Sequence, residues 1–262
     1  MNSHKRELDQ FFTKPEIVDF CIQHLSSIND YASIEPSAGN GDFFFKLPLP
    51  KYALDIDPKF QECAKQDFLT FQLKDLDQPI NKPILVIGNP PFGKNSSLAI
   101  KFFNHAATFA DKIAFIVPKT FEKISVQNRL NLYFVLEKNI CLPSNSFYFD
   151  NKDYDVPCVF QIWTKTLHPR VKINTNTTHP DFIFTDKING DFAIQRVGVN
   201  AGKIKKEINN IASSSHYFIK SVIDINILLN RMEKMIFPLK YSSAGNPSIS
   251  KHELIEAYEK AV

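Results

Sequence analysis

Four consecutive residues, Asn89-Pro90-Pro91-Phe92, carry the residue types suited to chemistry on an amino group attached to an aromatic ring. Such an amino group is a weak nucleophile, because its lone pair is delocalised into the ring. Two acceptors that take both of its N–H bonds pull the nitrogen toward tetrahedral geometry and aim the lone pair at an electrophile. The Asn89 side-chain oxygen and the Pro90 carbonyl are two such acceptors, and Pro90 and Pro91 keep the loop rigid, so the work is largely positioning. Phe92 offers a face on which a base can stack, worth roughly 1–3 kcal/mol. For a base inside a duplex the nucleotide must first leave the helix. The plainer reading is a proline-rich turn that closes a buried strand, and three earlier loops weigh against it.

Those loops ask for one ligand. The apolar run 31–35 stops at Glu35-Pro36-Ser37-Ala38-Gly39-Asn40-Gly41, where small residues let backbone amides approach a ligand closely. A second run, 52–55, ends in Asp55-Ile56, 20 residues after Glu35, where an acid can take the hydroxyls of a ribose. A third ends in Asp67-Phe68, a carboxylate for an adenine amino group and a ring for its face. The set fits an adenosine ligand. Because no G-x-G-x-x-G is present for a pyrophosphate, it favours S-adenosyl-L-methionine over a dinucleotide.

These loops need strands behind them. Apolar runs at 31–35, 52–55, 83–88, 112–117, 134–141 and 156–164 alternate with helical patterns, which implies βαβ units and a mostly parallel sheet. The last two runs lack an intervening helix and are expected to pair antiparallel around a polar loop, 144–155. A helix is expected over 8–25, with Thr13 as cap, Pro15 in its first turn and Glu16 completing a box, and another over 98–109. From about residue 165 the texture changes. Short strands (181–185, 192–197, 216–220) are broken by Asn, Gly and Ser, and helices follow at 225–236 and 252–261, the latter with a Ser250/Glu253 capping box. The boundary is placed at 168/169. Ser-Ala-Gly-Asn recurs at 37–40 and 243–246, the second copy in a turn-like stretch.

Composition sets outer bounds. The 262 residues are 44% hydrophobic and 23% charged, enough for a sizeable core. The net charge of +3 is unevenly spread: residues 165–262 carry 14 Lys and Arg against 9 Asp and Glu, so polyanion contact is expected behind and catalysis in front. No run is apolar enough to span a membrane, and residues 1–10 are charged rather than a leader, which suggests a cytoplasmic protein. Cys21, Cys63, Cys141 and Cys158 lack metal-ligand spacing and read as buried free thiols, with no metal site. Cys158 follows a proline inside an apolar strand, far from the Pro90-Pro91 turn, so a cysteine nucleophile for ring-carbon methylation is set aside.

Taken together, residues 8–164 resemble the catalytic domain of the gamma-class DNA adenine N(6)-methyltransferases. Phe11-Phe12-Thr13-Lys14-Pro15 is similar to the family motif that wraps the methionine end of the cofactor. Residues 35–41 resemble its cofactor loop, Asp55 its ribose acid, Asp67-Phe68 its adenine contacts, and residues 89–92 its N-P-P-[FY] catalytic motif. The resemblance implies an α/β, Rossmann-like class I methyltransferase fold with a seven-stranded sheet whose last strand is antiparallel, plus a small C-terminal α+β extension. It implies N(6) methylation of a flipped adenine, within a restriction-modification setting. A later aromatic, Phe147 or Tyr148, would pack on the extruded base. Arg196, Lys203, Lys205 and Lys206 would contact phosphates of double-stranded DNA. The short C-terminal part implies limited sequence readout, or help from a homodimer or a companion restriction or specificity subunit. The alternatives are an RNA adenine or guanine amino-methyltransferase, another amino acceptor for the same motif, or a non-catalytic DNA-binding subunit.

Overall fold

A computed structural model describes residues 11–149, 152–243 and 245–261. The expected helical residues 8–10, the charged segment 1–10 and Ala244 of the repeated tetrapeptide lie outside the described residues. The chain divides into two compact units, Met1–Lys172 and Ile173–Val262.

Among the described residues the first unit has ten strands: β1 (Phe12–Thr13), β2 (Ala32–Glu35), β3 (Lys51–Asp55), β4 (Cys63–Lys65), β5 (Ile84–Gly88), β6 (Lys112–Pro118), β7 (Phe134–Cys141), β8 (Phe147–Phe149), β9 (Lys152–Tyr154) and β10 (Cys158–Lys165). Seven of them form one sheet in the order β4-β3-β2-β5-β6-β10-β7. The pairs from β4 to β6 are parallel, and β10 runs antiparallel to both β6 and β7. This is the arrangement that the resemblance implies, seven strands with the last antiparallel, in a doubly wound order that reverses between β2 and β5 and opens a crevice at the strands' carboxyl ends.

Why these residues make such a sheet follows from its burial. β5 (Ile-Leu-Val-Ile-Gly) and β6 are buried along their whole length, as parallel strands covered on both faces must be. Ile84 and Val86 face one apolar cluster with Phe103, Ile113 and Phe115, while Leu85 and Ile87 face the other with Ala114, Ile116, Phe160 and Ile162. The second cluster also takes Ile17, Val18 and Cys21 of α1 (Pro15–Ile22).

Several expected elements are corrected. α1 starts only at Pro15, its N-cap is Lys14 with extended backbone and no side-chain bond, and Thr13 is strand instead. The crossovers are mostly not helices of the expected length. α2 (Ser97–Ala106) joins β5 to β6, but the β2–β3 connection holds one 3-10 turn and the β4–β5 connection two, with no α-helix in either. Prolines 36, 48 and 50 with Gly39 and Gly41 break the first of these connections before an α-helix can propagate. The loop expected at 144–155 contains a hairpin, β8–β9, whose β8 pairs with β1 to make a separate three-stranded sheet. A short helix, α3 (Ile124–Gln127), precedes β7. Cys21, Cys63 and Cys158 are buried as expected, but Cys141 is exposed, because β7 alternates and its last position falls on the solvent side.

The second unit is a four-stranded antiparallel sheet, β11 (Phe182–Thr185), β12 (Phe192–Gln195), β13 (Ile204–Lys205) and β14 (His216–Ser221), ordered β11-β14-β12-β13. Its apolar side is covered by α4 (Ile225–Met232) and α5 (Lys251–Ala261) around Phe182, Ile219, Leu228 and Tyr258. Asp224 caps α4 through the Asn226 and Ile227 N–H groups, and Ser250 and Glu253 form the expected capping box. Among the described residues no helix is long and apolar enough to cross a membrane, and no cluster of three His, Cys, Asp or Glu could hold a metal.

Candidate active site

The carboxyl ends of β2, β3 and β5 open onto one cleft of about 830 Å³, counting its open mouth. Its walls bring together Phe11, Phe12 and Thr13, residues 35–39, Asp55, Ile56, Phe68, Asn89 and Pro91.

At the base of the cleft lies Asn89, directly after β5. Its amide nitrogen donates to the Phe11 carbonyl and the Thr13 Oγ1, both at 3.2 Å. A carbonyl can only accept, so this pairing fixes which end of the amide is nitrogen. The Asn89 Oδ1 is thereby turned away, buried and without a partner. Leaving a buried acceptor unpaired costs about 1–3 kcal/mol, which a ligand donating to that atom would recover. The Asn89 backbone carbonyl is held by the Ser37 hydroxyl at 3.1 Å, which locks the loop after β5 to the loop after β2.

Asp55, at the end of β3, ties the loop after β3 to the loop after β2. One carboxylate oxygen accepts the Gly39 N–H and the other the Asp57 N–H, each at 2.8 Å. Gly39 has φ +52 and an added Cβ would meet the Phe12 ring at 3.3 Å, so both its conformation and its space call for glycine. Each Asp55 oxygen keeps a lone pair for a hydroxyl. Glu35 is buried, with one carboxyl oxygen unpartnered. Burial pushes its carboxyl well above the usual range, Asp42 and Asp55 push it the same way, and the Phe44 N–H opposes them.

The sign of that shift gives a stability prediction. The unfolded chain releases the Glu35 proton near 4.5, the folded chain at higher pH, so stability falls as pH rises through that window. Glu35→Gln removes the penalty. Its melting temperature should meet or exceed that of the parent at pH 8, with an advantage that shrinks toward pH 4.5; an advantage that grows on acidification would refute the upward shift.

The aromatic N-terminal strand closes one side. Phe12 stacks on Tyr148 with ring centroids 5.5 Å apart, and the Asn40 side-chain amide donates to the Tyr148 hydroxyl at 3.0 Å. Phe11 stacks on Tyr154 at 4.5 Å. Phe147, opposite Thr13 in the β1–β8 pair, is fully buried in the core, so it has no face for a base; strand alternation puts its neighbour Tyr148 on the half-buried side. Pro90 is buried and is not among the residues that line the cleft. Phe92 lies outside the cleft lining, half-buried against the cluster that contains Phe147 and Ile116, and its carbonyl accepts the Leu98 and Ala99 N–H groups that start α2. Asp67 is exposed and caps its own 3-10 turn through the Leu69 N–H, while its neighbours Gln66 and Phe68 line the cleft. The Phe68 ring belongs to the core beside Phe71 and Phe102.

Sequence reasoning passed over Asp42, Asp57, Lys59 and Gln66, all in the cleft wall. Asp42 directly follows the small-residue loop, and Asp57 and Lys59, which form an ion pair, directly follow Asp55; continuing each loop by a turn would have found them. Arg196, Lys203, Lys205 and Lys206 all belong to the second unit. Lys203 and Lys206 are exposed, Lys205 is half-buried on β13, and Arg196 lies over the Tyr217 ring at 5.1 Å.

Residues 13–157, more than half of the chain, match the model of the EDM2 methyltransferase-like domain. A stretch of 133 residues is 38% identical to the protein ENHANCED DOWNY MILDEW 2 of Arabidopsis thaliana, covering 50% of this chain and 10% of that protein. A stretch of 166 residues is 25% identical to the ribosomal RNA small subunit methyltransferase A of Ehrlichia chaffeensis, covering 56% of this chain and 62% of that protein. Among solved structures, a modification subunit assigned to a type I restriction enzyme of Vibrio vulnificus is 13% identical with a TM-score of 0.46, covering 93% of this chain and 59% of that chain. The chain thus spans less than two thirds of the length of each of these relatives.

Proposed function

This chain belongs to the family of the EDM2 methyltransferase-like domain, and from that premise we propose that it methylates the exocyclic N(6) amino group of adenine in DNA. The observation that carries this reading is the buried, unpartnered Asn89 Oδ1 at the cleft base, held there because the amide nitrogen is engaged by Phe11 and Thr13.

The cofactor is S-adenosylmethionine, and the residues present fit it. Asp55 would hold the ribose hydroxyls, the Gly39 loop would pass close to the ligand, and Phe11, Phe12 and Thr13 would cover its methionine end. When bound, the cofactor supplies a methyl group on a positively charged sulfur. The chain's own task is to present the acceptor. Asn89 Oδ1 and the Pro90 carbonyl accept the two N–H bonds of the base, which aims the nitrogen lone pair into the cleft. Tyr148, beside Phe12, is the ring on which the displaced base stacks, and Pro91 lines the cleft after Asn89. The proton released on transfer goes to water, since asparagine cannot take it.

Arg196, Lys203, Lys205 and Lys206 supply cationic contacts to the nucleic acid. Likeness to a ribosomal RNA methyltransferase supports one second reading, the same transfer to an RNA amino group. Intact Asn89 and Asp55 speak for catalysis over a scaffold role.

The test is methyl transfer from labelled S-adenosylmethionine to unmethylated duplex DNA, total RNA and protein extract, with nucleoside analysis. N(6)-methyladenine in the DNA digest is the expected product. Label confined to RNA would move the substrate and keep the chemistry; label in none, with the cofactor bound, would overturn the catalytic reading.

A further inference from the structure

We propose that the second unit carries a phosphate site of its own, a cleft beside β12, β14 and the start of α5 that seats a backbone phosphate of a nucleic-acid strand. Four basic side chains line it, Lys187, Arg196, His216 and Lys251. The antiparallel pairing of β12 with β14 sets Gln195 opposite His216 and Ile194 opposite Tyr217, which brings Arg196 beside them. The Arg196 backbone is clamped on both sides, its N–H donating to the Ser215 carbonyl and its carbonyl accepting from Ile249, and Lys251 opens α5 immediately after.

Two cations stand on adjoining rings. Arg196 lies over Tyr217 at 5.1 Å and Lys251 over Phe184 at 4.7 Å, with the rings in edge contact at 5.4 Å. Such mounting orients a cation without spending its N–H donors. The Arg196 Nε is buried and unpartnered. So is the His216 Nε2, while the Nδ1 of that ring is engaged by the Ala212 carbonyl at 3.0 Å. Lys187 donates one N–H to the Ile211 carbonyl and keeps its others. One carboxylate, Asp186, shares the lining; Asn189 and Ile188 donate to it and hold it below the usual range, so it stands ionised against Lys187, Arg196 and Lys251. Glu253, facing Tyr217 from α5, is engaged by the Ser250 N–H. A planar guanidinium with a free N–H fork, two ammonium groups and an imidazole suit a tetrahedral oxyanion.

That the anion belongs to a nucleic acid rests on the functional reading above; the anion site itself does not. The full chain should therefore be titrated with inorganic tripolyphosphate and, separately, with a fluorescent oligonucleotide. Tripolyphosphate should bind saturably, and K187Q/K251Q, which keeps the Arg196–Tyr217 stack, should weaken it at least tenfold. Arg196→Lys, which keeps the charge but loses the fork, should weaken it several-fold. The oligonucleotide should lose affinity in parallel, its log–log salt slope falling by roughly 1–2 in K187Q/K251Q. Replacing Lys203, Lys205 and Lys206 by glutamine should leave tripolyphosphate binding unchanged. No binding to the parent, equal binding in all the cleft variants, or a salt slope that responds to the Lys203, Lys205 and Lys206 replacement alone would overturn the site. An oligonucleotide bound through this cleft but never methylated would sink the functional reading and leave the site standing.

Discussion

Asn89→Ala is expected to slow methyl transfer by a factor of about 100–1,000, the range seen when one preorganised polar group is removed from a reacting centre. The dissociation constant of S-adenosylmethionine should change by no more than a few-fold. The two quantities separate because, in the function proposed, the unpartnered Asn89 oxygen takes the methyl acceptor, whereas the groups proposed for the ribose stand on the loops after β2 and β3. Alanine also releases the Phe11 carbonyl and Thr13 hydroxyl, so some loosening of β1 accompanies it. Asn89→Asp separates the contributions. It retains an acceptor but sets an oxygen against the Phe11 carbonyl, so it should recover part of the rate and none of the clamp. Single-turnover rates and equilibrium titration check both. Loss of cofactor affinity equal to the loss of rate would remove Asn89 from the role assigned to it.

Asp55→Ala should have the opposite signature. It deletes the carboxylate that takes the Gly39 and Asp57 N–H groups and would take the ribose hydroxyls as well. Hydrogen bonds to a charged group contribute about 1.5–3 kcal/mol each, so cofactor affinity should fall roughly 10- to 100-fold or more. Transfer at saturating cofactor should stay within about tenfold of the parent, an expectation that follows from the carboxylate acting on binding rather than on the methyl acceptor. Asp55→Asn, which keeps one acceptor oxygen, should lie between. Calorimetric titration decides the matter, and affinity unchanged in the alanine variant would exclude Asp55 from the site. Asp67→Ala should have a much smaller effect on affinity than Asp55→Ala, since Asp67 is exposed and engaged with its own turn.

The cleft's ingredients were legible because they obey local rules. Apolar runs such as Ile84–Gly88 have to be buried strands, and a Pro90-Pro91 pair has to end one, so Asn89 had to stand at a strand's carboxyl end. Carboxylates at the ends of successive parallel strands are carried to one crevice by the handedness of βαβ units, and Asp55 followed from that rule. The Ser250/Glu253 box, also local, was visible for the same reason.

What only the tertiary structure decided depends on pairing between distant segments. Phe147 and Tyr148 are indistinguishable as aromatic neighbours until β8 pairs with β1; the register then buries the first against the core and leaves the second beside Phe12. The direction of the Asn89 amide is set by a carbonyl 78 residues away, at Phe11. Arg196 was grouped by sequence with Lys203, Lys205 and Lys206, but antiparallel pairing of β12 and β14 gives it His216 and Tyr217 as neighbours instead. Local spacing fixes which residue types end a strand. Strand register, which a shift of one residue inverts, fixes which side chain faces the ligand, and it is set by hydrogen bonds that no short stretch of sequence contains.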